Sequence, residues 1–197
     1  FDVLTWTGDG GGSRSFTGLS FQPSFSWVKI RSHSYTHTLF DIVRGAGSNK
    51  DLSSDSTGAE GGANTANYGY ISSFNLDGFS SAEGAVDNDF FNKSLGTYVA
   101  WNWNAGSSTV SNTDGSITSS VRASQSSGFS IVSWSGSGSN ATIGHGLNAA
   151  PEFIILKDRD FTSSWYIYHK VVSSSKYLAF DTGAAYTSPD AWNSTDP

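Results

Sequence analysis

Cysteine is absent from this chain, and so is methionine. Without cysteine there is no disulfide framework, no thiolate zinc site and no thiol chemistry. Charge is sparse: Asp, Glu, Lys and Arg make up 14% of the residues, about half the usual share of a soluble domain. Net charge is -6 and the 11 basic residues are scattered. Nucleic-acid partners need clustered Lys and Arg, so none is expected. No run of about 18 apolar residues occurs, so no membrane insertion by a helix is expected. No charged segment followed by an apolar one marks a signal peptide. The chain opens on Phe1 rather than Met, the expectation for a processed terminus or a piece of a longer polypeptide.

Ser, Thr, Asn and 22 Gly stand in place of charge. A chain of 197 residues buries a sizeable core as one large β-domain or two small ones.

The most informative feature is an internal repeat. Phe1 to Arg31 matches Phe129 to Arg159 without a gap, at a constant offset of 128. Trp6 pairs with Trp134, Gly8 with Gly136, Gly18-Leu19 with Gly146-Leu147, and Pro23 with Pro151. Lys29 and Arg31 pair with Lys157 and Arg159. With a slip of two residues the match extends, Lys50, Leu52 and Asp55 facing Lys176, Leu178 and Asp181. The reading is a first unit over residues 1–106, a connecting hairpin or linker over 107–128, and a second, incomplete unit over 129–197. The short second unit carries the expectation that the polypeptide continues past Pro197 or that the second unit is truncated.

Local patterns are those of strands. Phe1–Trp6 runs into the glycine-rich turn Gly8 to Gly12. Phe25–Ile30 and Thr38–Val43 read as strands, as do Ser164–His169 and Tyr68–Phe74. Phe153–Lys157 is a continuous apolar run, suited to a strand buried on both faces. Leu76-Asp77-Gly78-Phe79 carries an Asp-Gly turn signal. Thr97–Trp103 has the clearest alternation: Thr97, Val99, Trp101 and Trp103 on one face, Tyr98, Ala100 and Asn102 on the other. In Thr109–Ser124 the spacing of Val110, Ile117 and Val121 favours a hairpin over a linker. No sustained helical period appears. The expected fold is all-β, a β-sandwich of jelly-roll or related type with two related units.

Chemistry-bearing residues do not assemble into a motif. His33 and His37 are four apart, but in strand-like or loop-like sequence with no Glu between them. His145 sits in a Gly-His-Gly turn and pairs in the repeat with Thr17; His169 pairs with Asp41. No nucleophile elbow of Gly-x-Ser-x-Gly type has a plausible Asp and His to complete it. Glu60, Glu83 and Glu152 are the only glutamates, and none forms a carboxylate pair along a strand. Asp87-Asn88-Asp89 has the oxygen density of a calcium loop but lacks its Gly and distal Glu. No catalytic residues, no metal and no cofactor are expected.

The 7 Trp and 8 Tyr are the remaining resource. Exposed aromatic faces stack on sugar rings, and Tyr68, Tyr70 and Trp103 are the candidate ligand-binding residues, with Trp165 and Trp192 behind them. Each is equally suited to a core or interface. Sequons occur at Asn92, Asn140 and Asn193 and matter only in a glycosylating source.

Longer stretches resemble a known family. Gly18 to Ser32 reads Gly-Leu-x-Phe-Gln-Pro-x-Phe-x-Trp-Val-Lys-x-Arg-Ser. Leu39 to Gly45 reads Leu-Phe-Asp-x-Val-Arg-Gly, and Leu52 to Glu60 reads Leu-Ser-Ser-Asp-Ser-Thr-x-Ala-Glu. With Phe74 to Phe79, Tyr98 to Trp103, Val110 to Ile117 and Gly144 to Lys157, these are similar to phage virion proteins, the tail-fibre-like structural proteins common in marine cyanophages. The resemblance covers nearly the whole chain, which departs from that family by stopping inside the second unit. It implies a concanavalin A-like lectin sandwich, a location in the virion or outside the cell, and partners that are other copies, other virion proteins or a host-surface glycan. No binding residues come with it. The implied function is a non-catalytic structural or adhesive module: a tail fibre, spike or capsid decoration. A secreted microbial surface protein or extracellular filament subunit is the alternative. A carbohydrate-active enzyme is disfavoured for want of a carboxylate pair.

Overall fold

The computed structural model describes residues 1–172, 174–180, 185–187, 192–193 and 195–196. The pairing of Asp55 with Asp181 and the central residue of the Asn193 sequon lie outside them. The strands of the first half are β1 (Asp2–Thr7), β2 (Arg14–Thr17), β3 (Phe25–Ile30), β4 (Thr38–Asp41), β5 (Tyr70–Asn75), β6 (Gly78–Ala82) and β7 (Thr97–Trp103). A single helical turn, α1 (Thr65–Tyr68), precedes β5, so Tyr68 lies outside the strand expected there. The second half holds β8 (Val110–Asn112), β9 (Ser119–Ser124), β10 (Phe129–Trp134), β11 (Phe153–Leu156), β12 (Tyr166–His169), β13 (Lys176–Leu178) and β14 (Ala185–Thr187). Among the described residues no helix is long and apolar enough to cross a membrane.

The protein is all-β and sandwich-like, with every named strand pair antiparallel. In the first half a four-stranded sheet, ordered β1-β7-β3-β4, faces a three-stranded one, β2-β6-β5. Alternation decides what meets between them. Leu4 and Trp6 on β1, Val28 on β3, Phe40 on β4 and Ala100 on β7 pack against Phe16, Ile71 and Phe79 of the opposite sheet, with Phe91 between. The Trp6 and Tyr98 rings stack, 5.1 Å apart and nearly parallel. Both carry polar atoms into this core, and both are satisfied. The Trp6 indole donates to the Phe91 carbonyl at 2.8 Å. The Tyr98 hydroxyl donates to the Asp89 carbonyl at 2.7 Å and accepts from the Lys93 N–H at 2.8 Å. Burial raises the Tyr98 hydroxyl pKa well above its ordinary value.

The repeat persists in strand register. Phe25 to Val28 pair with Asp41 to Thr38, and Phe153 to Leu156 pair with His169 to Tyr166, at the same offset throughout. The slip of two has a physical counterpart too: Leu39 bridges Leu52 in the first half, and Ile167 bridges Leu178 in the second. Each repeat lysine secures its own following loop. Lys29 Nζ donates to the Ile30, His33 and Tyr35 carbonyls, and Lys157 Nζ donates to the Asp158 and Phe161 carbonyls.

Elsewhere the halves differ. Residues 107–128 form the paired strands β8 and β9, and β9 also pairs with β10, giving the order β10-β9-β8. The second sheet of this half runs β11-β12-β13-β14. Phe153–Lys157 is not buried on both faces, as its apolar run led us to expect. β11 is an edge strand with Phe153 50% and Ile155 39% exposed. Apolar composition shows what a strand can bury; its neighbours decide what it does bury.

The halves meet on the outer face of the four-stranded sheet. Leu39 and Leu52 pack with Trp165 and Ile167, flanked by Phe25, Trp27 and Leu178. The Trp165 indole donates to the Ser53 and Ser56 carbonyls. Phe129 lies over Trp103 and near Phe25. The four-stranded sheet is therefore covered on both sides.

The Asp77-Gly78 signal marks a real hairpin, β5 to β6, but the glycine serves another purpose. Its φ is not positive; an added Cβ would instead overlap the Phe16 carbonyl oxygen on β2. Gly78→Ala is expected to destabilise the fold by roughly 1–3 kcal/mol through overpacking. Gly136→Ala, at a site with open space and ordinary φ, is expected to cost nothing measurable. Urea unfolding of the two variants checks the contrast.

Candidate functional site

The groups that could have done chemistry are placed apart and occupied. Glu60 lies between Arg44 and Arg159, Glu152 pairs with Lys170, and Glu83 lies against Gly12. In Asp87-Asn88-Asp89, Asp87 accepts the Asp89 N–H, and Asn88 donates to the Gly12 carbonyl. Asp89 takes Lys93 at 2.5 Å and the Tyr35 hydroxyl at 3.1 Å. His33 contacts its neighbour Ser32, whereas His37 Nδ1 accepts the Trp27 indole N–H at 2.8 Å. His145 and His169 each accept a backbone N–H two residues on. Among the described residues no group of three His, Asp or Glu side chains gathers in a way that could hold a metal. The Asn92 sequon is structural: Asn92 is buried and bonds Asp9, Gly11 and Arg14.

The aromatic candidates separate in the same way. Trp103 does not present a free face. It is wedged at the seam, 4.9 Å from Phe1, 5.3 Å from Phe25 and 6.1 Å from Phe129. Trp165 is buried in that seam. Trp192 donates to the Lys176 carbonyl and meets Tyr168 edge-on. Tyr70 packs against the first core. Tyr68 differs: at the end of α1 it stands edge-on to Phe90 at 5.7 Å, and Phe90 is edge-on to Tyr35 at 6.1 Å.

Tyr35, Phe90 and Tyr68 form a half-exposed patch. His33 lies 5.5 Å from the Tyr35 ring, and Lys93 Nζ lies 5.9 Å from its centre, a cation–π geometry. The hydrogen bond from Lys93 to Asp89 raises the lysine pKa. Ring faces rimmed by a carboxylate, an ammonium and an imidazole can stack on a flat ligand and bond its hydroxyls. Tyr35 escaped the sequence reading because its loop, Ser-His-Ser-Tyr-Thr-His, has no period; only the packing of Phe90 against it reveals the patch.

The motif charges gather at the seam instead. Arg44 is buried, bonding Asp41 through Nε and Glu60 Oε1 through Nη1 at 3.1 Å. It also donates to the Lys50 and Leu39 carbonyls. Glu60 Oε2 then accepts Arg159 Nη2 at 2.6 Å and Nε at 3.1 Å, and Arg159 Nη1 donates to Ser133. This ion chain crosses from the first half to the second. Arg122 makes a second crossing, donating to Ser24 and Gln22; burial lowers its pKa.

A repeated half, sheets stacked on both sides of a shared one, and polar groups used in joints define an all-β, sandwich-like protein. The chain belongs to the family described as a domain of unknown function, DUF7483, which matches residues 1–197. No curated protein and no solved structure matches it.

Two predictions follow from these joints. Glu60→Gln removes the shared carboxylate and leaves Arg44 and Arg159 without that charge; a loss of roughly 1–3 kcal/mol is expected. Hydrogen exchange should show it as faster opening at the seam. Burial lowers the His37 pKa below its ordinary value, and the Trp27 indole bond needs Nδ1 unprotonated. The unfolded chain therefore binds this proton more readily, so the contribution is full above the ordinary histidine value, about 6.5, and declines as pH falls below it. Urea midpoints at pH 8 and 5.5 should differ more for the unaltered chain than for His37→Asn, whose Oδ1 keeps the acceptor without titrating.

Proposed function

We propose that this chain is a non-catalytic structural and adhesive module of a virion, a tail fibre, spike or capsid decoration on a lectin-type jelly-roll sandwich. The observation that carries this reading is where the virion-like motif residues go. Lys29, Asp41, Arg44 and Glu60 are spent on loop anchoring and on joining the halves. Such use of charge suits a rigid building block. Binding, in this reading, belongs to the surface patch of Tyr35, Tyr68 and Phe90, and its ligand is a host-surface glycan.

Cryo-electron microscopy of native particles containing the chain tests the first part. A position in a symmetric tail or capsid is expected; location in cell-derived filaments would favour an extracellular subunit instead. A glycan array tests the second part. Tyr35→Ala and Tyr68→Ala are each expected to lower glycan binding by about tenfold, as loss of one aromatic anchor does, while Trp103→Phe leaves it unchanged. Equal binding by all three variants would remove the patch from consideration.

A further inference from the structure

We infer, resting on the glycan reading of the Tyr35, Phe90 and Tyr68 patch, that Asp89 and Lys93 are its specificity-determining pair and select a neutral sugar by two neighbouring hydroxyl groups. The Asp89 carboxylate accepts from one hydroxyl, and the Lys93 ammonium donates to the next.

The two side chains stand on a fixed base. They lie four residues apart in the irregular segment before β7, and one buried hydroxyl holds both main chains. Tyr98 on β7 donates to the Asp89 carbonyl at 2.7 Å and accepts the Lys93 N–H at 2.8 Å. The Asp87 carboxylate accepts the Asp89 N–H at 2.9 Å. The rings are tied down in the same way. Phe90 N–H donates to the Tyr68 carbonyl at 2.9 Å, and Lys29 Nζ donates to the Tyr35 carbonyl at 2.7 Å. A base held this firmly leaves little to order on binding.

Hydrogen-bonding capacity remains on the outer side of the pair. Asp89 Oδ2 accepts from Lys93 Nζ at 2.5 Å and from the Tyr35 hydroxyl at 3.1 Å. Among the described residues none donates to Asp89 Oδ1. The buried side-chain atoms left without a partner there are Thr38 Oγ1 and Asn88 Oδ1, so Asp89 Oδ1 reaches solvent. An ionised carboxylate oxygen only accepts, and an ammonium only donates, through three N–H groups. Asp89 takes one of these and the Tyr35 hydroxyl lies beside another; the Lys93 side chain is 32% exposed. A sugar hydroxyl both donates and accepts, so an acceptor and a donor in contact match two hydroxyls on adjacent ring carbons.

Charge decides between neutral and acidic sugars. Lys93 is already paired with Asp89, and Lys29 is occupied by the Ile30, His33 and Tyr35 carbonyls. Asp87 lies two residues before Asp89, and the chain as a whole carries -6. A sugar carboxylate in this place would meet the open Asp89 oxygen, like charge against like.

The test is an NMR titration of the isotopically labelled full chain with methyl glycosides of glucose, galactose and mannose, their singly deoxygenated forms and their uronates. It is run at pH 8, above the ordinary histidine range, so that Lys93 is the cation under test. A neutral glycoside should bind and shift the Tyr35, Tyr68, Asp89 and Lys93 amides. Deleting either of two neighbouring hydroxyls should weaken it by at least about tenfold, as loss of a hydrogen bond to a charged group does, and its uronate should bind more weakly too. Asp89→Asn and Lys93→Met should each erase the preference for the intact hydroxyl pair. That preference is a ratio within one protein, so a general loss of stability does not imitate it. Should a variant fail to fold, the deoxygenated series on the unaltered chain decides. No binding, or binding that shifts only other residues, would overturn the glycan reading of the patch and this inference with it. Binding at the patch that is indifferent to every deoxygenation, stronger for uronates, or equally selective in both variants would overturn this inference alone.

Discussion

β7 is the strand on which both cores close. It runs between β1 and β3, and its two faces serve different partners. Tyr98, Ala100 and Asn102 point into the first sandwich, where they are fully buried. Val99, Trp101 and Trp103 point to the outer face, where the second half packs. A strand covered on both faces must satisfy every main-chain group within the sheet and every side-chain polar atom locally. Asn102 meets this by accepting from Ser26 Oγ at 2.7 Å and donating to the Ala100 carbonyl at 3.1 Å.

The low charge of the chain has a structural use. Several of the charges that exist sit in joints, where removing one partner strands the other. Asp51 is buried and holds the following loop by accepting from the Ala63 N–H and the Thr65 hydroxyl. Asn92 ties the glycine-rich turn after β1 to the segment before β7. Arg44 and Glu60 extend the same economy across the seam. Ser, Asn and Gly elsewhere provide short polar contacts and tight turns, so few ionic groups need desolvation.

This arrangement divides the aromatic residues into two populations. Trp6, Trp103 and Trp165 serve the cores and the seam, where large flat side chains give the most burial per residue. Tyr35, Tyr68 and Phe90 gather at the surface beside Asp89 and Lys93. The first population fills the cores and the seam; the second is half-exposed, with Phe90 packed against the first core as well.

The all-β class, the repeat and its two-residue slip were legible in the sequence. Alternation in Thr97–Trp103 and matched Gly, Pro and Trp positions are local, and a strand's period of two holds wherever the strand lies. The alternation also said which residues share a face. It could not say what covers each face, because that depends on segments far away in the chain: Trp103 met Phe129, Glu60 met Arg159, and Tyr35 met Phe90 only through packing. Nor could it place Phe153–Leu156, whose apolar run fits a central strand and an uncovered edge equally well. The sequence by itself determined most strands, the repeat offset and the main turns; the tertiary structure alone decided strand pairing and which apolar faces were closed, since burial belongs to pairs of surfaces and not to either one.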